Sequence, residues 1–380
     1  MSLHFSALTP QRPFTGRTGR IRPQVFFGRD HELHTIIHLI SSSSFAARIA
    51  ILEPGGVGKT ALALAVLSHE EIVSRFGKSR YLVPCESVTS RDALFVAIAN
   101  SLSLFQHGHT FDNSSVVALE SHVLSALRSE ECILCLDNFE SPWDQPSPRK
   151  RAVEMLLADI TALPSVTVLI TMRSGESPKE TAWTLPVLLP LTNLPHEAAK
   201  RTWESLAGTY DEWAKKLIEA VDCLPLAVTL LGSLAEVTTA ETLWEHWQKD
   251  KGDSLTSLEL SIALSLECGL MTADVSSKRL LGILSMLPDG MPAFPLPEFR
   301  RLFPDIPHSS WSLDTLLKWS LAVHTADNMV RVNSLVQLYC ESHNLASSED
   351  RRALRDYYVA LTSHFRDVTT TISGTVYSRG

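Results

Sequence analysis

The stretch Glu53-Pro54-Gly55-Gly56-Val57-Gly58-Lys59-Thr60 restricts the fold more than any other part of the chain. It follows the apolar run Ile49-Ala50-Ile51-Leu52 and leads into Ala61-Leu62-Ala63-Leu64-Ala65-Val66-Leu67. A short β-branched run, a glycine-rich turn and an alanine/leucine helix are the setting of a phosphate-binding loop, because successive backbone N–H groups and a helix N-terminus then converge on one anion. In that geometry Lys59 reaches the terminal phosphates and Thr60 gives its hydroxyl to Mg²⁺. Gly55, Gly56 and Gly58 let the main chain approach the oxygens, with Val57 among them and Ala61 just inside the helix. The competing explanation is a glycine-rich strand-to-helix turn that binds nothing. Glu53 stands where the usual pattern has glycine, and a carboxylate there weakens phosphate binding unless it points away or meets a cation.

A chain of 380 residues with 44% hydrophobic content is long enough for two or three packed domains. Its formal net charge of -8 argues against a surface that coats nucleic acid. The six cysteines are scattered and no apolar leader precedes them, so reduced thiols and a cytoplasmic location are expected. Cys132 and Cys135 read as CxxC but fall on a predicted strand, where residues three apart point to opposite faces and cannot share a metal. The longest apolar stretch, Cys223 to Ala235, contains Pro225 and is too short to span a bilayer.

Residues 1–24 carry Arg12, Arg17, Arg20 and Arg22 with no acid, while Pro10, Pro13, Gly16, Gly19 and Pro23 break any presequence helix; a basic flexible linker is expected. A helix with Leu33, Ile36, Ile37 and Ile40 on one face follows. Strands are expected at 49–52, 81–85, 132–137, 166–171 and, between two prolines, 185–189, with helices over 91–104 and 151–163. Strands alternating with helices predict an α/β fold, a doubly wound parallel sheet over residues 25–190. Asp137 ends a continuous apolar run and is either a helix cap or, beside Lys59 and Thr60, the acid that orients Mg²⁺. Arg173 ends another such run and is either a surface arginine or a γ-phosphate contact.

From Leu191 the pattern is helical, with candidates at 197–206, 211–221 and 224–234, and Trp203, Trp213, Trp244 and Trp247 read as packing residues. Residues 191–245 are expected to form a helical domain and 246–345 a winged-helix domain. In the latter, a helix over 316–323 and a turn at Asp327-Asn328 lead to Met329-Val330-Arg331-Val332. Residues 346–380 are read as a C-terminal helix and a loose tail.

Taken together, these residues resemble the STAND class of P-loop ATPases, in particular the NB-ARC switch proteins, over roughly residues 23 to 345. Phe26-Phe27-Gly28-Arg29-Asp30-His31-Glu32 is similar to the family's hhGRExE box, which frames the adenine. Pro54 to Thr60 matches its Walker A, Ile133 to Asn138 its Walker B, and Thr171-Met172-Arg173 its sensor arginine. Cys223-Leu224-Pro225-Leu226-Ala227 resembles its GLPLA element, which implies that Pro225 and Leu226 pack near the base. The run Asp137 to Trp143 is most similar to fungal members.

The resemblance implies an ATP/ADP-dependent signalling switch with Mg²⁺, of the kind that serves innate immunity and programmed cell death. An ADP form is closed and an ATP form opens and self-associates. Asn138 replaces the acid that commonly follows the Walker B aspartate, so hydrolysis is expected to be slow or absent. Glu140 is the nearest carboxylate that could stand in, and is read as facing the surface. Asn333-Ser334-Leu335 occupies the place of the family's MHD motif and lacks its histidine. No internal repeat is visible, which suggests an isolated switch core or one whose sensor and effector are supplied elsewhere. Two other classes stay open: an ATPase loading on DNA through its winged helix, and a degenerate nucleotide-binding interaction module. Against the first, acids outnumber bases between Leu243 and Glu341.

Overall fold

The structure is a computed structural model that describes residues 25–359 except 44, 54, 105–115, 189, 251–255, 268–273, 293–296, 305, 307–308 and 326–328. The expected linker 1–24, Pro54, the 327–328 turn and the tail beyond 359 lie outside the described residues. The chain divides into two units, residues 1–264 with 325–328, and residues 265–324 with 329–380.

The first unit opens with α1 (Asp30–Ser42), β1 (Arg48–Leu52), α2 (Lys59–Ser68), α3 (Glu70–Phe76) and β2 (Arg80–Pro84). It continues through α4 (Arg91–Ser101), α5 (Val116–Ser129), β3 (Cys132–Asp137), α6 (Glu140–Trp143), α7 (Arg149–Thr161) and β4 (Val166–Met172). The four strands lie in the order β1-β4-β3-β2 and every pairing is parallel. A parallel sheet needs both faces covered, and the side chains divide accordingly. Cys132, Leu134 and Leu136 of β3, with Val166, Val168 and Ile170 of β4, enter one core with α4, α5 and α7. Ile133 and Cys135 of β3, with Ile49 and Ile51 of β1, enter the other with α1, α2 and α3. The two cysteines therefore serve opposite cores, and burial pushes the Cys132 thiol up to about 12.

The strand expected at 185–189 is not present among the described residues, and the sheet has four strands rather than five. The segment runs beside the free edge of β1, where the Thr184 N–H donates to the Arg48 carbonyl. Pro186 and Pro190 lack the N–H groups a ladder requires, and Leu185 stays 77% exposed. Apolar composition there reflects surface, not a buried strand.

Helices α8 (His196–Ala207), α9 (Glu212–Ala220), α10 (Pro225–Ala235), α11 (Ala240–Asp250) and α12 (Ser257–Glu267) follow. Asp211 caps α9 by accepting the Ala214 N–H at 2.7 Å, and Pro225 begins α10, where its missing N–H costs nothing. Trp203 and Trp247 are buried, as packing residues should be.

The second unit contains helices Val275–Ser285, Ser309–Lys318 and Ser334–Ser342, a helix at 348–359, and an antiparallel sheet ordered β5 (Met291–Pro292), β7 (Met329–Val332), β6 (Ala322–His324). The hairpin expected near 329–332 is present, but the helix expected over 316–323 ends at Lys318. Ser320 takes a left-handed backbone (φ +58°), which stops the helix, and Ala322–His324 pair with β7 instead. Buried Asp350 holds the 348–359 helix to Val275–Ser285 by accepting from Arg279 Nε at 3.0 Å and Nη2 at 2.8 Å.

Candidate functional site

The carboxyl ends of the four strands lie side by side, and each supplies a group to one surface. After β1, the loop reaches Gly56 (φ +86°) and Gly58 (φ +95°) before α2 starts at Lys59. Those left-handed backbones are open to glycine at little cost. Gly55 and Val57 complete its described part, Val57 buried against the α1 and α2 core.

Lys59 is 6% exposed, and its ammonium donates to the main-chain carbonyl of Glu53 at 2.5 Å. Burial lowers its pKa to about 8; Glu140, Asp137 and Glu53 oppose that shift and Arg173 adds to it. Thr60 donates its hydroxyl to Asp137, 2.9 Å from Oδ1 and 3.1 Å from Oδ2. Asp137, at the end of β3, also accepts from the Thr171 hydroxyl of β4 at 2.6 Å, and that hydroxyl in turn accepts the Asn138 N–H. A carboxylate and a hydroxyl within hydrogen-bond reach at the mouth of a phosphate loop are hard oxygen donors and fit Mg²⁺. Among the described residues no cluster of three or more His, Cys, Asp or Glu offers another metal site.

Arg173, directly after β4, lies with its Nε 3.1 Å from Glu140 Oε1 and its Nη2 4.0 Å from Glu86 Oε1. Glu140 does not face the surface as expected: its side chain is 13% exposed and points to Arg173 and toward Lys59. Burial raises its pKa, against the opposing pull of Arg173 and Lys59. Glu86, two residues past β2, has no sequence signal of its own; only the neighbouring position of β2 and β3 brings it here.

Beside the loop lies a pocket lined by Phe26, Phe27, Val57, Gly58, Ala61 and Pro225, with Leu194, Thr202 and Thr229 also on its wall. It joins the residues expected from the first segment, the loop and the start of α10, whose Leu226 N–H donates to the Gly56 carbonyl at 3.2 Å. Gly28 (φ +71°) packs so closely on α8 that a Cβ would sit 2.4 Å from Ala198 Cβ. Arg29 is buried, and its guanidinium donates to the carbonyls of Val57 at 3.0 Å and Thr192 at 2.5 Å and pairs with Glu32. It ties the loop to the segment before α8. Arg201 lies over the Phe27 ring, 4.4 Å from its centre. Leu194, Thr202, Thr229 and Arg201 were not legible in the sequence, because they reach the pocket through the packing of α8 and α10 rather than through any local pattern. Asn333 caps the helix Ser334–Ser342, its side chain accepting the Leu335 N–H at 3.0 Å.

Residues 19–188 match the family model described as Novel STAND NTPase 1. These residues are similar to STAND NTPases and have the α/β fold of a P-loop NTPase. The chain is similar to a probable disease resistance protein of Arabidopsis thaliana, 21% identical over 240 residues that cover 60% of this chain and 26% of that protein. It is also similar to a putative disease resistance protein of Solanum bulbocastanum, 24% identical over 271 residues that cover 65% of this chain and 26% of that protein. The chain thus spans about a quarter of the length of the curated relatives it matches. Among solved structures, a STAND protein of Pyrococcus horikoshii with a tetratricopeptide repeat sensor superposes with a TM-score of 0.58 at 17% identity, covering 92% of this chain and 47% of that one. That likeness bears on the fold.

Proposed function

We propose that the chain is a nucleotide-dependent signalling switch that binds ATP or ADP with Mg²⁺ and hydrolyses ATP slowly or not at all. The observation that carries the reading is the continuity of two half-sites: the charged group of Lys59, Thr60 and Asp137, and the pocket lined by Phe26, Phe27, Ala61 and Pro225. Lys59 and the loop N–H groups hold phosphate, and Thr60 and Asp137 hold Mg²⁺, which when bound neutralises phosphate charge. The apolar walls take the base. Phe27, Gly28, Pro225 and Leu226 shape that pocket, Pro54 and Gly55 belong to the loop, and Arg29 positions the loop through the Val57 carbonyl.

A ligand held between the phosphate loop and α10 links the sheet to the helices that follow it, so its phosphate number can bias conformation. Moving such an equilibrium from 1:99 to 99:1 requires about 5.5 kcal/mol of differential binding. In this reading an ADP form is closed and an ATP form opens and self-associates in the cytoplasm, in signalling of the disease-resistance kind. The similarity to the two plant proteins named for disease resistance supports it. Hydrolysis is slow because Asn138 offers no carboxylate to accept a proton from water, and Glu140, the carboxylate that could stand in, is engaged by Arg173. The test is sedimentation of the purified chain with Mg²⁺ and either ADP or a non-hydrolysable ATP analogue. Larger species with the analogue alone are expected; identical profiles with both nucleotides would contradict the switch.

A further inference from the structure

The pairing of Arg173 is not explained by phosphate binding alone. Glu140 receives two of that residue's donors, the guanidinium Nε at 3.1 Å and the main-chain N–H at 3.2 Å, using one carboxylate oxygen for each. Glu86 stands on the other side of the guanidinium, 4.0 Å from Nη2. All three side chains are largely covered, at 13%, 19% and 23% exposure for Glu140, Glu86 and Arg173. Glu140 is also firmly mounted. It begins α6, whose Trp143 is buried, donates from its indole to Glu154 at 2.9 Å, and carries the Lys150 ammonium 3.4 Å from its ring centre. Glu140 also opposes the lowering of the Lys59 pKa by burial. One fixed carboxylate therefore holds the Arg173 guanidinium, while the Lys59 ammonium is committed to the Glu53 carbonyl.

We propose that Glu140 is the positioning residue through which this site tells a nucleoside triphosphate from a diphosphate, by holding Arg173 until a third phosphate competes for the guanidinium. The inference rests on the nucleotide reading above and deepens it. A guanidinium offers a planar fork of N–H donors that suits a carboxylate or a phosphate equally, but the same N–H cannot serve both fully. A diphosphate ends at the loop and leaves the Glu140–Arg173 pair intact. A triphosphate that draws the guanidinium toward itself competes with Glu140 for its charge and its Nε–H, so the pair lowers triphosphate affinity relative to diphosphate. Glu86, farther from the guanidinium, adds a smaller hold of the same sign.

The test is equilibrium titration of the full chain with Mg²⁺ and, separately, ADP and a non-hydrolysable ATP analogue, read as the ratio of the two affinities. Glu140→Gln keeps the shape of the side chain and removes its charge, and should shift the ratio toward the triphosphate by about tenfold, the scale of one charge-assisted hydrogen bond. Glu86→Gln should shift it the same way by less, and it provides the answer if Glu140→Gln folds poorly. In an Arg173→Ala background both shifts should vanish. An unchanged ratio in the two glutamate variants overturns the inference, as does a shift that persists without Arg173. A wild-type chain that binds neither nucleotide overturns the nucleotide reading itself and this inference with it, whereas normal binding with an unmoved ratio overturns the inference alone.

Discussion

Lys59 shows how little a single site residue does on its own. Its ammonium is buried, held to the Glu53 carbonyl and driven toward neutrality by burial, so it is in place before any phosphate arrives. Truncating it should remove a charge-assisted contact of about 1.5–3 kcal/mol. Lys59→Ala is therefore expected to weaken ADP binding roughly ten- to hundredfold in calorimetry; a chain that binds as well without the amine does not use it for phosphate. Asn138 has a left-handed backbone (φ +56°) that aspartate also tolerates. Asn138→Asp should restore a proton acceptor beside Asp137 and speed single-turnover hydrolysis, and a rate no faster than wild type would place the deficit elsewhere. The proximity of Lys59, Thr60 and Asp137 was legible because their signals are local: a loop spacing, and an acid at the end of an apolar run. The direction of Glu140 and the presence of Glu86 were not, since both depend on which strand ends lie next to each other in the folded sheet.

At the level of elements, the sequence pattern conveyed the parallel sheet well. Runs such as Cys132–Leu136 are apolar at every position, and in the fold alternate residues serve the cores on opposite faces. Residues 185–189 have similar composition but prolines where a ladder needs N–H groups, so apolar content misled there. The helix over 316–323 failed for a different reason: Ala322–His324 pair with Met329–Val332 only a few residues further on, and the hairpin outweighed the helical pattern. The contact of the first segment with α8 is close enough to test. Gly28→Ala puts a methyl group 2.4 Å from Ala198 Cβ in a backbone disfavoured for L-residues, and should lower the melting temperature and weaken ADP together. Retention of both would show that the contact is not required.

In the second unit, burial works to raise the Asp350 pKa, but hydrogen bonds from Arg279 and Ser347 outweigh it and hold the carboxyl below its ordinary 3.8. A depressed carboxyl stabilises the fold above the unfolded value, and that stabilisation is lost as pH falls through the folded value. Asp350→Asn should therefore destabilise the chain at neutral pH, by about 1–3 kcal/mol in denaturant titration. The gap between variant and wild type should close below pH 3.8. A gap that is constant across that range would assign the loss to packing instead of charge.

For the whole molecule, the proposed nucleotide site joins the phosphate loop to the helices after the sheet. No described helix is long and apolar enough to cross a membrane, and the STAND domain match ends at residue 188, yet the pocket draws Leu194, Thr202, Pro225 and Thr229 from beyond it. Binding should consequently protect backbone amides in α8 and α10 from hydrogen exchange as well as those around Lys59. The most direct measurement is calorimetric titration of the full chain with MgADP, wild type beside Lys59→Ala. Saturable one-site binding in the first and a marked loss in the second are predicted; no binding by the wild-type chain, or equal binding by both, would contradict the account.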